Sequence, residues 1–178
     1  ACAAAAMTFG PMSFAQQAPE KKDVTIAVGG KSLYYYLPLS IAEQLGYFKD
    51  EGLNVKIVDF QGGSRSLQAV VGGSADVVSG AFEHTISMQA KKQPMTAFVL
   101  QGRAPQLALV VSNKTMKDYK QLSDLKGKKV GVTAPGSSSQ MVANFILKKG
   151  GLGPKDVAFI GVGSSSGAVS AIRSGQID

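Results

Sequence analysis

Short apolar runs alternate along the chain with longer segments whose apolar residues recur every three or four positions. The short runs are rich in β-branched residues and end at glycine or polar turns, which predicts buried strands. The longer segments carry apolar residues on one face, as at Leu33, Leu37, Ile41, Leu45 and Phe48, which predicts amphipathic helices. Strands and helices that alternate at this spacing indicate parallel βαβ units. The predicted strands cover residues 24–28, 55–60, 77–78, 95–100, 107–111, 128–133 and 157–160.

The strand–helix pattern starts again in the second half of the chain. Residues 69–76 (AVVGGSAD) match residues 171–178 (AIRSGQID) at a constant offset. Two related lobes would explain this match, although any two βα units share some similarity. We therefore expect an α/β protein with two doubly wound lobes, lobe 1 at residues 24–104 and lobe 2 at 128–178, joined by a crossover and hinge region at 105–127. Since the first repeat runs directly into a strand and the second ends the sequence, we expect lobe 2 to be truncated.

The first residues differ from the rest of the chain. Residues 1–15 carry no charge, contain the helix-breaking pair Gly10–Pro11 and end in small residues. This pattern predicts part of a signal peptide with its cleavage site, followed by a linker at residues 16–23, and hence export to the periplasm. A disordered alanine-rich tail is the alternative, and lipid attachment at Cys2 is a weaker one.

Composition narrows the function classes. The 178 residues include one cysteine and one histidine, which excludes a disulfide framework, a cysteine-based zinc site and a histidine-rich metal cluster. A hydrophobic content of 44% with 17% charged residues excludes wholesale disorder. The net charge of +7 favours anionic partners without choosing between nucleic acid, acidic membranes and small anions.

Several motifs resemble catalytic or nucleotide-binding signatures but are incomplete. Gly30–Ser32 reads Gly-Lys-Ser, yet Thr25 stands where a P-loop needs its first glycine. Gly161 and Gly163 begin a dinucleotide fingerprint, but Ser166 replaces its third glycine. Glu83 and His84 are sequence neighbours, which point in different directions on a helix. We therefore predict no catalytic constellation, no metal and no cofactor.

Loops of small residues follow the predicted strands and open the predicted helices. In parallel α/β sheets such loops line one crevice, where glycine allows close approach and helix N-termini offer free N–H donors to anions. Tight turns and helix caps would explain any one of these loops, but five of them in two repeats favour a binding site. The candidate ligand-binding residues are Gly30, Lys31, Ser32, Tyr34, Gly62, Gly63, Ser64, Ser79, Gly80, Ala81, Thr133, Gly136, Ser137, Ser138, Gly163 and Ser164.

Four segments carry a resemblance to a known family. Residues 36–58, with GYFKDEGL at 46–53, together with residues 61–64, 73–77 and 122–132, are similar to the substrate-binding proteins of nitrate, sulfonate and taurine ABC transporters. The resemblance covers residues 24–178. It implies a type II periplasmic binding protein fold, with a small-molecule ligand held between two lobes that close by a hinge near residues 101–105. An inner-membrane ABC permease is then the implied partner, and nucleic acid is not.

The resemblance leaves the ligand class open. It implies an anionic or zwitterionic solute such as a sulfonate, nitrate or taurine, and alternatively a pyrimidine precursor of thiamine. Pyrimidine synthases share the resemblance and porphobilinogen deaminases share the fold, but both depend on cysteines, and residues 16–178 contain none. A ligand-sensing domain of a transcription regulator is a third alternative. We therefore expect a binding protein and not an enzyme.

Overall fold

The computed structural model describes residues 19–104 and 106–178. The predicted signal peptide, including Cys2, and the first residues of the predicted linker lie outside the described residues, as does Pro105 in the predicted hinge. Lobe 1 contains β1 (Asp23–Val28), α1 (Leu37–Gln44), α2 (Tyr47–Asp50), β2 (Asn54–Asp59), α3 (Gly63–Val71), β3 (Val77–Val78) and α4 (Glu83–Ala90). Lobe 2 contains β4 (Lys129–Val132), α5 (Ser138–Lys149), β5 (Ala158–Gly161) and α6 (Ser166–Ser174). Single turns of 3-10 helix lie at Tyr34–Tyr36 and Leu122–Leu125.

The strands form two parallel sheets, as the alternating pattern predicts. In the first sheet the order is β2-β1-β3, and β1 pairs with β2 from Asp23 opposite Asn54 to Val28 opposite Asp59. In the second sheet β4 pairs with β5. The chain therefore has an α/β fold with parallel sheets, while the lobe boundaries at residues 104 and 128 stay predictions.

The central strand β1 is covered on both faces. Ile26 and Val28 point to one side, where they pack with Tyr36 and Leu39. Ala27 points to the other side and packs with residues of and just after α3 because successive strand residues face opposite ways. Lobe 2 has its own core around Leu147 and Leu125.

The internal repeat is visible in the hydrogen bonds of the two lobes. The Asp76 carboxylate accepts the Thr25 N–H at 2.8 Å, and the Asp76 N–H donates to the Thr25 carbonyl at 2.9 Å. Asp178 makes the same pair of bonds with Lys129, both at 2.9 Å. In each lobe an aspartate thus binds the first strand, just after α3 in lobe 1 and just after α6 in lobe 2.

Four sequence predictions of secondary structure are wrong. Residues 95–100 and 107–111 form no strand, because no described segment pairs with them along a sheet edge. Phe98, in the first of these segments, is 74% exposed. The helix predicted through residues 33–48 is interrupted at Gly46, which adopts a φ of +82°. The pattern at residues 118–125 predicts a short helix, but only its last four residues, Leu122–Leu125, form a 3-10 turn.

Candidate ligand-binding cleft

The loops after the strands of the two lobes meet and contact each other directly. Ser64, at the start of α3, lies against Ser137, at the start of α5. Ser32, after β1, contacts Ser165, at the start of α6. Since all these loops follow parallel strands, the structure brings the carboxyl-end edges of both sheets to one interface, as the sequence predicts.

Serine hydroxyls make the hydrogen bonds of this interface. The Ser64 N–H donates to Ser137 Oγ at 3.1 Å, and Ser137 Oγ lies 3.2 Å from Ser64 Oγ. Ser64 Oγ in turn donates to the Pro135 carbonyl at 2.9 Å. Ser137 is fully buried, so its hydroxyl serves the interface rather than bulk solvent. On the other side, Ser32 Oγ and Ser165 Oγ are 2.8 Å apart.

Glycine allows the backbones of the two lobes to approach closely. Gly62 has a φ of +88°, and a Cβ there would lie 2.9 Å from Ala134 Cβ. Gly30 has a φ of +104°, and its Cβ would lie 2.7 Å from Ser164 Oγ. Both positions thus need glycine for conformation and for space.

The predicted anion site in the loop after β1 is already occupied by a side chain of the protein. Asp59, at the end of β2, accepts the Gly30 N–H at 2.7 Å and the Lys31 N–H at 2.9 Å. The Lys31 ammonium forms an ion pair with Glu43 of α1 at 2.6 Å. The donors and the cation of this loop are therefore engaged within lobe 1, and a bound anion would meet the Asp59 carboxylate.

Tyr34 and the loop after β3 are also among the predicted ligand-binding residues. Tyr34 is 88% exposed, and its neighbour Tyr36 is the tyrosine that packs in the core. The Tyr36 hydroxyl accepts the Gly29 N–H, and burial raises the pKa of Tyr36 to about 12.

Ser79 lies in the loop after β3, where its Oγ donates to Gln101 Oε1 at 3.0 Å. This hydrogen bond ties the loop after β3 to the predicted hinge. Gly80 and Ala81 lie on this same loop, before α4.

The lobe 2 loops are held by bonds among their own residues. Ser139 Oγ accepts the Thr133 N–H at 3.0 Å and lies 2.9 Å from Thr133 Oγ1. The Gly136 N–H donates to Gln140 Oε1 at 2.7 Å. Ser138 is the first residue of α5, and Gly163 donates its N–H to the Thr133 carbonyl. These bonds fix the loops in the conformation that faces lobe 1.

Two cavities lie on either side of the Ser64–Pro135 contact. The first, about 240 Å³, is lined by residues of α3 and α4 and by Pro135 and Gly136. The second, about 340 Å³, is lined by Gln61, Arg65 and Thr133 among others. Both are lined by Ser64, Gln68 and Pro135, so the two cavities adjoin at this interlobe contact.

Sequence reasoning missed two side chains of this region. Asp59 looks like an ordinary strand end, and only the fold shows that it faces the Gly30–Lys31 loop. A lone histidine at the start of a helix is usually a surface or hydrogen-bonding residue, but His84 is only 5% exposed and lines the first cavity. Its burial lowers its pKa. A repeating apolar pattern in α4 would predict the burial of His84 from the sequence, but that helix lacks such a pattern.

Among residues 19–104 and 106–178, no three His, Cys, Asp or Glu side chains cluster in a way that could hold a metal ion. No helix within those same residues has the length and apolar character to cross a membrane.

A family model described as NMT1/THI5 like matches residues 34–178. The chain belongs to this family. This membership confirms the resemblance, seen in the sequence, to the substrate-binding proteins of nitrate, sulfonate and taurine ABC transporters.

Relatives of known structure extend the comparison. A protein from Bordetella bronchiseptica RB50 is 67% identical, with a TM-score of 0.87, over 89% of this chain and 50% of that one. The alkanesulfonate-binding protein SsuA from Xanthomonas axonopodis pv. citri, bound to MOPS, is 22% identical, with a TM-score of 0.61, over 90% of this chain and 54% of that one. The chain therefore has the α/β fold of periplasmic substrate-binding proteins, as predicted.

One relative with a similar sequence is named as an enzyme and not as a binding protein. The 4-amino-5-hydroxymethyl-2-methylpyrimidine phosphate synthase of Schizosaccharomyces pombe is 28% identical over 87% of this chain and 43% of its own length. The chain thus spans about half the length of the relatives it matches.

Proposed function

We propose that this chain belongs to the solute-binding component of an ABC importer, which captures a small solute between its two lobes. The observation that carries the proposal is the meeting of loops from both sheets at one interface, with a cavity on each side of the Ser64–Pro135 contact. A solute bound there would contact both lobes and so favour the closed form, which a permease can recognise.

For the solute we propose a small anionic or zwitterionic molecule, such as a sulfonate, nitrate or taurine. Exposed cations border both cavities, Lys91 at the first and Arg65 at the second. Serine hydroxyls of both lobes lie between them. We propose that Ser64 and the Gly136 region contact the solute, that Ser137 holds the two loops together, and that Lys31 and Tyr34 act indirectly or not at all.

A pyrimidine is the second candidate. It is favoured by the name of the fungal relative, a 4-amino-5-hydroxymethyl-2-methylpyrimidine phosphate synthase, and by the neutral side chains of Ser64, Gln68 and Ser87 at the first cavity. The engaged N–H donors of the Gly30–Lys31 loop also make that loop a poor anion site. In either case we propose that the protein is exported to the periplasm, delivers its solute to a membrane permease and catalyses no reaction.

Isothermal titration of the full-length protein tests the proposal. The probes are ethanesulfonate, taurine, nitrate and 4-amino-5-hydroxymethyl-2-methylpyrimidine. We expect saturable one-to-one binding of at least one probe. X-ray scattering with that probe should also show a fall in the radius of gyration as the lobes close. Binding of the pyrimidine alone would select the second candidate. Absence of binding by all four probes would refute both solute classes.

A further inference from the structure

The positive charge of the chain is concentrated in its second half. Residues 106–178 carry ten cationic and four acidic side chains, whereas residues 19–104 carry nine and eight. Six of the seven net positive charges therefore belong to residues 106–178. The candidate cleft does not account for this surplus, because Lys91 and Arg65, the cations that border its two cavities, belong to the first half.

The fold gathers most of these cations at one end of the second sheet. The strands are parallel, so their amino ends lie together, and there Lys129 of β4 pairs with Ala158 of β5. Helix α5 ends at the same edge, where a Cβ on Gly150 would lie 2.5 Å from Leu122 Cβ. We call this region the basic end, and its lysines are Lys120, Lys126, Lys128, Lys129, Lys148, Lys149 and Lys155.

The acidic side chains at the basic end are used within the fold. Asp124, Asp156 and Asp178 each accept backbone N–H groups, at distances of 2.7–3.0 Å. Among the described residues, no carboxylate oxygen lies within 4.0 Å of the ammonium group of any lysine at the basic end. Six of these seven lysines are exposed. The basic end therefore presents a surplus of ammonium groups to the solvent.

An exposed aromatic ring lies beside these lysines. Phe145 of α5 is 62% exposed, and the Lys149 ammonium lies 5.0 Å from the centre of its ring. Aromatic rings next to lysines are typical of protein surfaces that enter the boundary between lipid headgroups and acyl chains. The basic end can therefore make an apolar contact with a membrane as well as an electrostatic one.

The kind of cation favours a lipid partner over a protein partner. Nine of the ten cations in residues 106–178 are lysines. Protein interfaces are enriched in arginine and depleted in lysine, since the planar guanidinium matches a carboxylate with two parallel bonds. Lysine is a hydrated point charge on a flexible stem, which suits the mobile phosphates of an anionic bilayer. Duplex nucleic acid also attracts lysines, but it offers no apolar layer to Phe145.

We propose that the basic end binds the surface of a membrane that contains anionic phospholipids, with its ammonium groups against the lipid phosphates and Phe145 at the headgroup boundary. This inference goes beyond the proposed function and does not depend on the identity of the solute. The loops of the candidate cleft follow the carboxyl ends of the strands, at the opposite edge of the second sheet. The protein can therefore bind lipid while its cleft stays accessible to a solute.

Vesicle flotation with the full-length protein tests this inference. One set of vesicles contains equal parts of phosphatidylglycerol and phosphatidylcholine, and the other contains phosphatidylcholine alone. We expect binding to the anionic vesicles only. The affinity should fall by about 10-fold or more between about 0.05 M and about 0.5 M NaCl, because salt screens exposed charges.

Two variants with the same net charge identify the surface that binds. Each lysine close to an anionic membrane contributes roughly 5-fold in affinity. We therefore expect binding to be about 10- to 100-fold weaker when four lysines of the basic end are replaced, in the variant Lys126→Gln, Lys148→Gln, Lys149→Gln, Lys155→Gln. The loss should be less than about 3-fold in the control, which replaces four exposed lysines of lobe 1, Lys22→Gln, Lys49→Gln, Lys56→Gln, Lys92→Gln.

A third variant tests the apolar contact. Phe145→Ala keeps every charge and removes only the exposed ring, so it should weaken binding to the anionic vesicles by about 3- to 10-fold. This loss should persist at high salt, unlike the loss in the lysine variant. An affinity unchanged in Phe145→Ala would overturn the role of the ring.

The outcomes separate the two proposals. Equal losses in the two lysine variants would show that binding follows net charge, and would overturn the role of the basic end. Absence of binding to anionic vesicles would do the same, and so would binding to a DNA duplex without binding to the vesicles. None of these measurements includes a solute, so a failure here leaves the proposed function standing, and a failure of the solute titration leaves this inference standing.

Discussion

At the scale of single residues, Gly62 combines two constraints that usually occur apart. Its φ of +88° lies in the left-handed region, and the space where a side chain would start is taken by Ala134 of the other lobe. Gly73 has a similar φ of +73°, but nothing lies within 4 Å of its missing Cβ. Gly62 combines its φ with a ψ of 159°, a conformation that essentially only glycine adopts, so a side chain there adds backbone strain to the interlobe contact.

We predict that Gly62→Ala is more destabilising than Gly73→Ala. The Gly73 variant should lose about 1–2 kcal/mol of unfolding free energy through strain alone. The Gly62 variant should lose about 1–3 kcal/mol more, because its backbone at φ +88° and ψ 159° is suited only to glycine and because Ala134 must move. Urea unfolding of both variants measures the difference. Equal losses would mean that lobe 2 moves away freely and that the close contact adds no stability.

At the scale of elements, the two lobes share a hydrogen-bonding pattern that joins the end of a helix to a strand. Asp76 links the segment after α3 to β1, and Asp178 links the segment after α6 to β4. Hydrogen bonds to Lys21 and Thr25 lower the pKa of Asp76, and the Lys129 N–H lowers that of Asp178. Each carboxylate is therefore favoured in its ionised form by the fold.

We predict that Asp76→Ala and Asp178→Ala both destabilise the protein at pH 7, whereas Asp118→Ala, an exposed control, does not. A lowered folded pKa means that the stabilisation is complete above the unfolded pKa of about 4 and is lost as pH falls through the folded pKa. The deficit of each variant should therefore shrink at pH 2. Urea unfolding at both pH values checks this, and a deficit independent of pH would contradict it.

The elements also show what a sequence pattern can predict. Strands β1, β2, β4 and β5 are predicted because β-branched runs end at glycine or polar turns, and the repeat is predicted from the match of residues 69–76 with residues 171–178. Residues 95–100 have the same apolar composition, but a strand exists only where a partner supplies hydrogen bonds, and composition does not show the partner. The Asp59 bonds to the Gly30–Lys31 loop join residues 29 positions apart, so the occupied anion site was invisible as well.

At the scale of the whole molecule, the two lobes meet through hydroxyl and carbonyl groups rather than an apolar core. Ser137 is fully buried and accepts the Ser64 N–H, while Ser64 Oγ bonds to Pro135. Polar contacts of this kind are exchanged readily for contacts with a polar ligand or with water, because both can satisfy the same donors. The interface is thus suited to open and close.

We predict that Ser137→Ala shifts the full-length protein toward an open form. The variant leaves the Ser64 N–H without its acceptor when the lobes are closed, which costs about 1–3 kcal/mol and changes the closed-to-open ratio by roughly 5- to 150-fold. X-ray scattering without added solute should then give a larger radius of gyration than for the wild type. Ser170→Ala, an exposed serine on α6, should behave as the wild type. Equal radii for Ser137→Ala and the wild type would show that the serine contacts do not hold the lobes together, and closure would then depend on the solute alone.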